Sequence, residues 1–129
     1  MDNAISAKQL FAFAEMDLLS AEYLLKMKPL PIEIICYHCQ QSAEKYLKGF
    51  LVLNGTNPPK THDLNQLNNL CSDISRSFST IADECSDLTA YGAQPRYPMQ
   101  IVLEKIDMED ALFSAGRIRD FFNEIISNL

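Results

Sequence analysis

The stretch Ile32–Asn54, IEIICYHCQQSAEKYLKGFLVLN, decides how this chain folds. No proline interrupts it, and as a helix it would run for about six turns at roughly 3.6 residues each. A turn of about 100° per residue puts Cys36, Cys39, Ala43, Leu47, Phe50 and Leu53 on one face, the pattern of a helix with a buried side. His38, Gln41, Glu44, Lys45 and Lys48 fall together on or near a polar stripe, at spacings of three, four and seven residues. The plain reading of that stripe is a solvated face with a Glu44–Lys48 pair worth roughly 0.2–0.5 kcal/mol. The alternative is a site, since ammonium, imidazole and amide groups on one side of a helix can offer charge and hydrogen bonds to an anion.

On the N-terminal side, Pro29 and Pro31 separate this segment from another amphipathic one, Ser6 to Met27, with Leu10, Phe11, Ala14, Leu18, Ala21 and Leu25 on its apolar stripe. Asp17 falls between Phe13, Ala14, Ala21 and Leu24, where a buried carboxylate would cost several kcal/mol unless a cation or strong donor reached it. Lys45, His38 and Arg96 are the candidate partners; otherwise Asp17 sits at the edge of the stripe and meets water. Met16, Leu19, Tyr23 and Met27 form a second apolar face. With Phe113 or Phe121 it could dock a partner, or it could pack inside the bundle.

On the C-terminal side, Asn54-Gly55 is a helix stop and Pro58-Pro59 stiffens the following loop. Asp63 is placed to cap a short helix carrying Leu64, Leu67, Leu70 and Ile74. A fourth helix is expected over about Ile81–Tyr91, then an extended Gln94-Pro95-Arg96-Tyr97-Pro98 in the longest loop, then a last helix over Asp107–Ser127. That helix shows Met108, Ala111, Leu112, Ala115, Ile118, Phe122 and Ile125 on one face. No segment alternates long enough to be a half-buried strand. The expectation is an all-α fold, an up-and-down antiparallel bundle of about five helices.

The 129 residues leave room for one domain, residues 1–129, that can bury a core without disulfides or a structural metal. No apolar run is long enough to span a bilayer, so no membrane contact is expected. The opening Met1-Asp2-Asn3 lacks the features of a secretory signal, which makes a cytoplasmic protein the expectation. Seventeen acidic against eleven basic side chains leave a formal charge of −6, so any phosphate-bearing ligand must be met by a local basic cluster. Cys36, Cys39, Cys71 and Cys85 all lie in helical segments and read as reduced, buried thiols. Cys36 and Cys39 have a Cys-x-x-Cys spacing, but no second ligand pair accompanies them, so no metal is expected. Neither a glycine-rich phosphate loop, a serine elbow nor a paired-histidine zinc motif occurs, and no cofactor is expected.

Several segments resemble, in order, those of the HEPN family, named for a nucleotide-binding domain of higher eukaryotes and prokaryotes. Ala14-Glu15-Met16-Asp17-Leu18 with Ala21-Glu22-Tyr23-Leu24-Leu25 is similar to its first helix. Tyr37-His38-Cys39-Gln40-Gln41-Ser42-Ala43-Glu44-Lys45-Tyr46-Leu47-Lys48 is similar to its most recognisable signature. Pro58-Pro59-Lys60-Thr61-His62-Asp63-Leu64 and Ala93-Gln94-Pro95-Arg96-Tyr97-Pro98 resemble its later loops, so the likeness covers nearly the whole chain.

The resemblance implies a helical bundle that dimerises, is often paired with a small nucleotidyltransferase as in toxin–antitoxin-like systems, and binds a nucleotide or RNA. Some relatives are metal-independent RNA endonucleases that need an arginine followed, after four to six residues, by a histidine. Here both histidines, His38 and His62, precede all four arginines, and Ile101, Val102 and Leu103 occupy the relevant positions after Arg96. Cleavage by that mechanism lacks its proton-transfer group. The expected function is therefore a non-catalytic binding module, with His38, Gln41, Glu44, Lys45, Lys48, Lys60, Arg96 and Tyr97 as candidate ligand-binding residues and Tyr37 or Tyr97 offering a ring to a base. The alternatives are an RNA endonuclease with an atypical site built from His38, Glu44, Lys45 and Arg96, and a purely structural dimeric subunit. For Arg96 and Tyr97 the bland reading is loop anchoring; for His62 it is helix capping or loop packing.

Overall fold

The computed structural model describes residues 2–92 and 102–129. It is an all-α bundle of five helices: α1 (Asn3–Tyr23), α2 (Ile32–Leu53), α3 (Leu64–Ile74), α4 (Ala82–Thr89) and α5 (Lys105–Ser127). Arg96 and Tyr97, with the rest of 93–101, lie outside the described residues. Among the described residues there is no strand, and no helix is long and apolar enough to cross a membrane.

Local chemistry fixes most helix ends. The Asp2 carboxylate accepts from the Ala4 amide at 2.9 Å and starts α1 three residues earlier than periodicity suggests. The end of α2 is closed by Gly55 at φ +77°, with the Gly55 amide donating to Val52 and the Thr56 amide to Leu51. Asp63 caps α3 through the amides of Asn65 and Gln66. Glu104 and Asp107 form a reciprocal capping box at the start of α5.

Two sequence expectations are corrected. The fourth helix, expected over about Ile81–Tyr91, is shorter: the chain before it is a 3-10 turn over Arg76–Ile81, and another 3-10 turn over Ala90–Gly92 replaces its last residues. The first of these turns exists because Phe78 and Ile81 are buried, which ties that part of the chain to the core. Leu25, placed on the apolar stripe of α1, is exposed, since α1 tightens into a 3-10 turn at Leu24 and the phase of the stripe is lost.

Helix α2 packs against all four other helices. Between Ile35 and Leu51 none of its residues is exposed. Along α1 the partners of α2 run backwards, from Gly49 beside Leu10 and Phe11 to His38 beside Asp17, so the two helices are antiparallel. Their approach is close: a Cβ at Gly49 would stand 2.6 Å from Cε1 of Phe11. The Ser42 hydroxyl adds a 2.8 Å bond to the Ala14 carbonyl.

Rings fill the centre of the bundle. Tyr46 of α2 stacks on Phe122 of α5 at 5.0 Å between centroids, and Phe78 touches Phe50, Phe121 and Phe122. The four thiols are wholly buried. Burial is the largest cause raising each of their pKa values, with nearby Asp107 and Glu33 adding to it at Cys36, which is pushed up to about 11.

Candidate functional site

The polar groups of α2 face neighbouring chain rather than open solvent, and they gather into two adjoining clusters. In the first, Asp17 of α1 is held between two residues of α2: His38 Nδ1 lies 3.1 Å from Oδ1, and the Lys45 ammonium contacts Oδ2. Asp17 lies at the edge of its stripe, with its side chain only 15% exposed, and it still acquires two of the three candidate partners. An ionised carboxylate only accepts, so His38 presents Nδ1–H to it. Nε2 is left without a hydrogen-bond partner among the described residues.

The second cluster repeats that plan with different elements. Glu44 is 6% exposed and places Oε1 2.8 Å from His62 Nδ1 and Oε2 3.0 Å from the Lys48 ammonium. Gln40, fully buried one turn earlier, donates to Glu44 and to the backbone carbonyl of His62. Gln41 donates to the Gln40 side chain at 2.8 Å and lies between the two clusters on the helix surface. Each cluster is thus a carboxylate shared by one imidazole and one ammonium, and an amide link joins the outer edge of the second to Gln41.

The electrostatics of Glu44 follow from this packing. Burial alone would raise its pKa, but hydrogen bonds from His62 and Lys48, the Lys48 charge and the Gln40 amide together hold it below the ordinary carboxylate value. A lowered pKa in the folded state contributes stability above the ordinary carboxylate value, and that contribution is lost as pH falls through the folded value. Glu44→Gln is therefore expected to destabilise the protein by about 2 kcal/mol at neutral pH. The gap from the parent should close as the pH drops below the carboxylate range. Urea unfolding at a series of pH values measures it, and a gap independent of pH would contradict the charge-based account.

Five of the candidates, His38, Gln41, Glu44, Lys45 and Lys48, are brought together along one side of α2. Lys60 is not joined to them: it is exposed and forms no ion pair among the described residues. Tyr37 is half-buried, its ring edge-on to His38 at 6.2 Å between centroids. Phe121, a candidate for the partner face, points inward against Phe78, whereas Met16, Leu19, Tyr23, Met27 and Phe113 are all exposed.

Sequence reasoning missed Gln40 and undervalued His62. Gln40 sits one step round the helix from Cys36 and Leu47, where a glutamine must find buried partners, and four residues before Glu44; that was the available signal. His62 gave none, because its pairing with Glu44 spans eighteen residues and depends on the loop after α2 folding back along the helix. Among the described residues no three His, Cys, Asp or Glu side chains gather where they could hold a metal ion.

A family model described as the HEPN domain matches residues 7–125, from the second turn of α1 to the last turn of α5. No curated protein and no solved structure matches the chain.

Proposed function

Because this chain belongs to the HEPN domain family, we propose that it is a non-catalytic nucleotide- or RNA-binding module that works beside a small nucleotidyltransferase, as in a paired toxin–antitoxin-like system. The family supports a nucleotide- or RNA-related module in general; the narrower reading rests on the two adjoining carboxylate–imidazole–ammonium clusters along α2. On a chain of net charge −6 they concentrate basic groups that remain partly open to solvent and are already oriented. A phosphate approaching them exchanges protein carboxylates for its own oxygens at Lys45 and Lys48, so binding depends strongly on salt. The dimer and the nucleotidyltransferase partner implied by the resemblance belong to the same reading.

Titration with adenosine triphosphate tests it. Saturable binding is expected, weakened about tenfold in Lys45→Ala by loss of one charge-assisted hydrogen bond. Absence of saturation with both the triphosphate and a short single-stranded RNA would sink the reading. One observation favours the catalytic alternative: the Asp17–His38 contact leaves Nε2 available as a proton acceptor. Specific RNA cleavage that His38→Ala abolishes would replace the non-catalytic reading with that one.

A further inference from the structure

On the solvent side of the Asp17 cluster lies a cavity of about 460 Å³ lined by Met16, Leu19, Ser20, Tyr23, Leu24 and His38. Its size falls within the roughly 300–1,000 Å³ of small-molecule sites. Its walls are largely aliphatic and aromatic, and one end is the His38 imidazole, whose Nδ1 is committed to Asp17. Tyr23 is 71% exposed, so its ring is available as a stacking surface. The Lys26 ammonium stands over that ring, 5.4 Å from its centroid, and has no carboxylate partner among the described residues.

These groups fit the parts of one ligand class. A flat heteroaromatic ring needs an apolar slot, an aromatic face and a hydrogen-bonding edge; an attached phosphate needs a cation at the rim. Lys45 and Lys48 each share a carboxylate, Asp17 and Glu44, whereas Lys26 has no carboxylate partner among the described residues and adds a charge at the rim. Charge complementarity therefore favours an anionic occupant over an uncharged apolar one. We propose that this cavity is a nucleobase site: the base lies against Tyr23 with its edge at Nε2 of His38, and the phosphate faces Lys26. The proposal rests on the nucleotide-binding reading and assigns the base end of the ligand to the α1 face that the sequence offered as a partner-docking surface.

The test is fluorescence titration of the full chain with 2-aminopurine riboside 5′-monophosphate, whose emission is quenched on stacking. Saturable quenching is expected, with affinity falling about tenfold in Tyr23→Ala, the loss of one stacked base. Lys26→Ala should weaken the monophosphate severalfold and leave the uncharged 2-aminopurine riboside unchanged. Both side chains are exposed, so both variants should unfold in urea like the parent. Saturable binding that ignores Tyr23→Ala and Lys26→Ala but is lost in Lys48→Ala would overturn the base site and leave the nucleotide reading intact. No saturable binding of any nucleotide would overturn both. A dimer that dissociates in Tyr23→Ala while nucleotide affinity stays constant would show that a second copy occupies the cavity, and would also overturn the proposal.

Discussion

Phe78→Ala is expected to lower the unfolding free energy by about 3–5 kcal/mol, much of the roughly 5–15 kcal/mol that holds a natural domain together. The ring is wholly buried in the 3-10 turn ahead of α4, yet it touches Phe50 of α2 and both Phe121 and Phe122 of α5, with Phe50 only 4.4 Å away between centroids. Truncation removes ring contacts on three sides at once. The neighbours belong to separate helices that cannot all move inward, so most of the cavity should persist. Asn68 of α3 donates to the Phe78 carbonyl and would keep the backbone in place, which further limits collapse. Urea unfolding should show the midpoint falling with little change in slope, and a loss below about 1 kcal/mol would mean that the turn is not anchored by this ring.

Gly49→Val is expected to cost about 3 kcal/mol, at the upper end of what overpacking a core usually does. In an open helix, replacing glycine with a residue that has a β-carbon is favourable by up to about 1 kcal/mol, so a loss here would come from the α1–α2 contact. The new β-carbon would meet Cε1 of Phe11 at 2.6 Å and Cβ of Leu10 at 3.3 Å, and Phe11 is pinned between Tyr46 and Phe122. Relief should come from the ring itself. In the double variant Gly49→Val, Phe11→Leu the cost should be less than the sum of the two single costs by at least about 1 kcal/mol, the signature of direct coupling. Additive costs would place the strain elsewhere.

Much of the fold could be read from residues with a local physical role. The 3.6-residue period of α2, the Asp63 cap and the Gly55 stop act within one or two turns, and each appears where the chain requires it. The misread parts depend on distant packing. A helical wheel shows which side of α2 is apolar, but not that α1 and the His62 loop cover much of the remainder; the polar stripe therefore looked wet when it is largely enclosed. Leu25 was misplaced for a related reason, since a short 3-10 turn shifts the phase on which periodicity depends. At the candidate site, Lys45 and His38 were legible as possible partners of Asp17, because a carboxylate beside an apolar stripe needs a cation or donor unless it reaches water. The His62–Glu44 contact was not, because nothing local to either residue specifies a partner so far along the chain. Arg96 and Tyr97 lie outside the described residues.

The enclosure of α2 means that one helix is both the mechanical axis of the molecule and the carrier of its paired polar groups. Exchanging a side chain there disturbs architecture and chemistry together, which leaves few tolerated alternatives across its middle turns. Variation without structural penalty belongs instead on the outer side of α1, where Tyr23 and its neighbours can be altered while the scaffold stands.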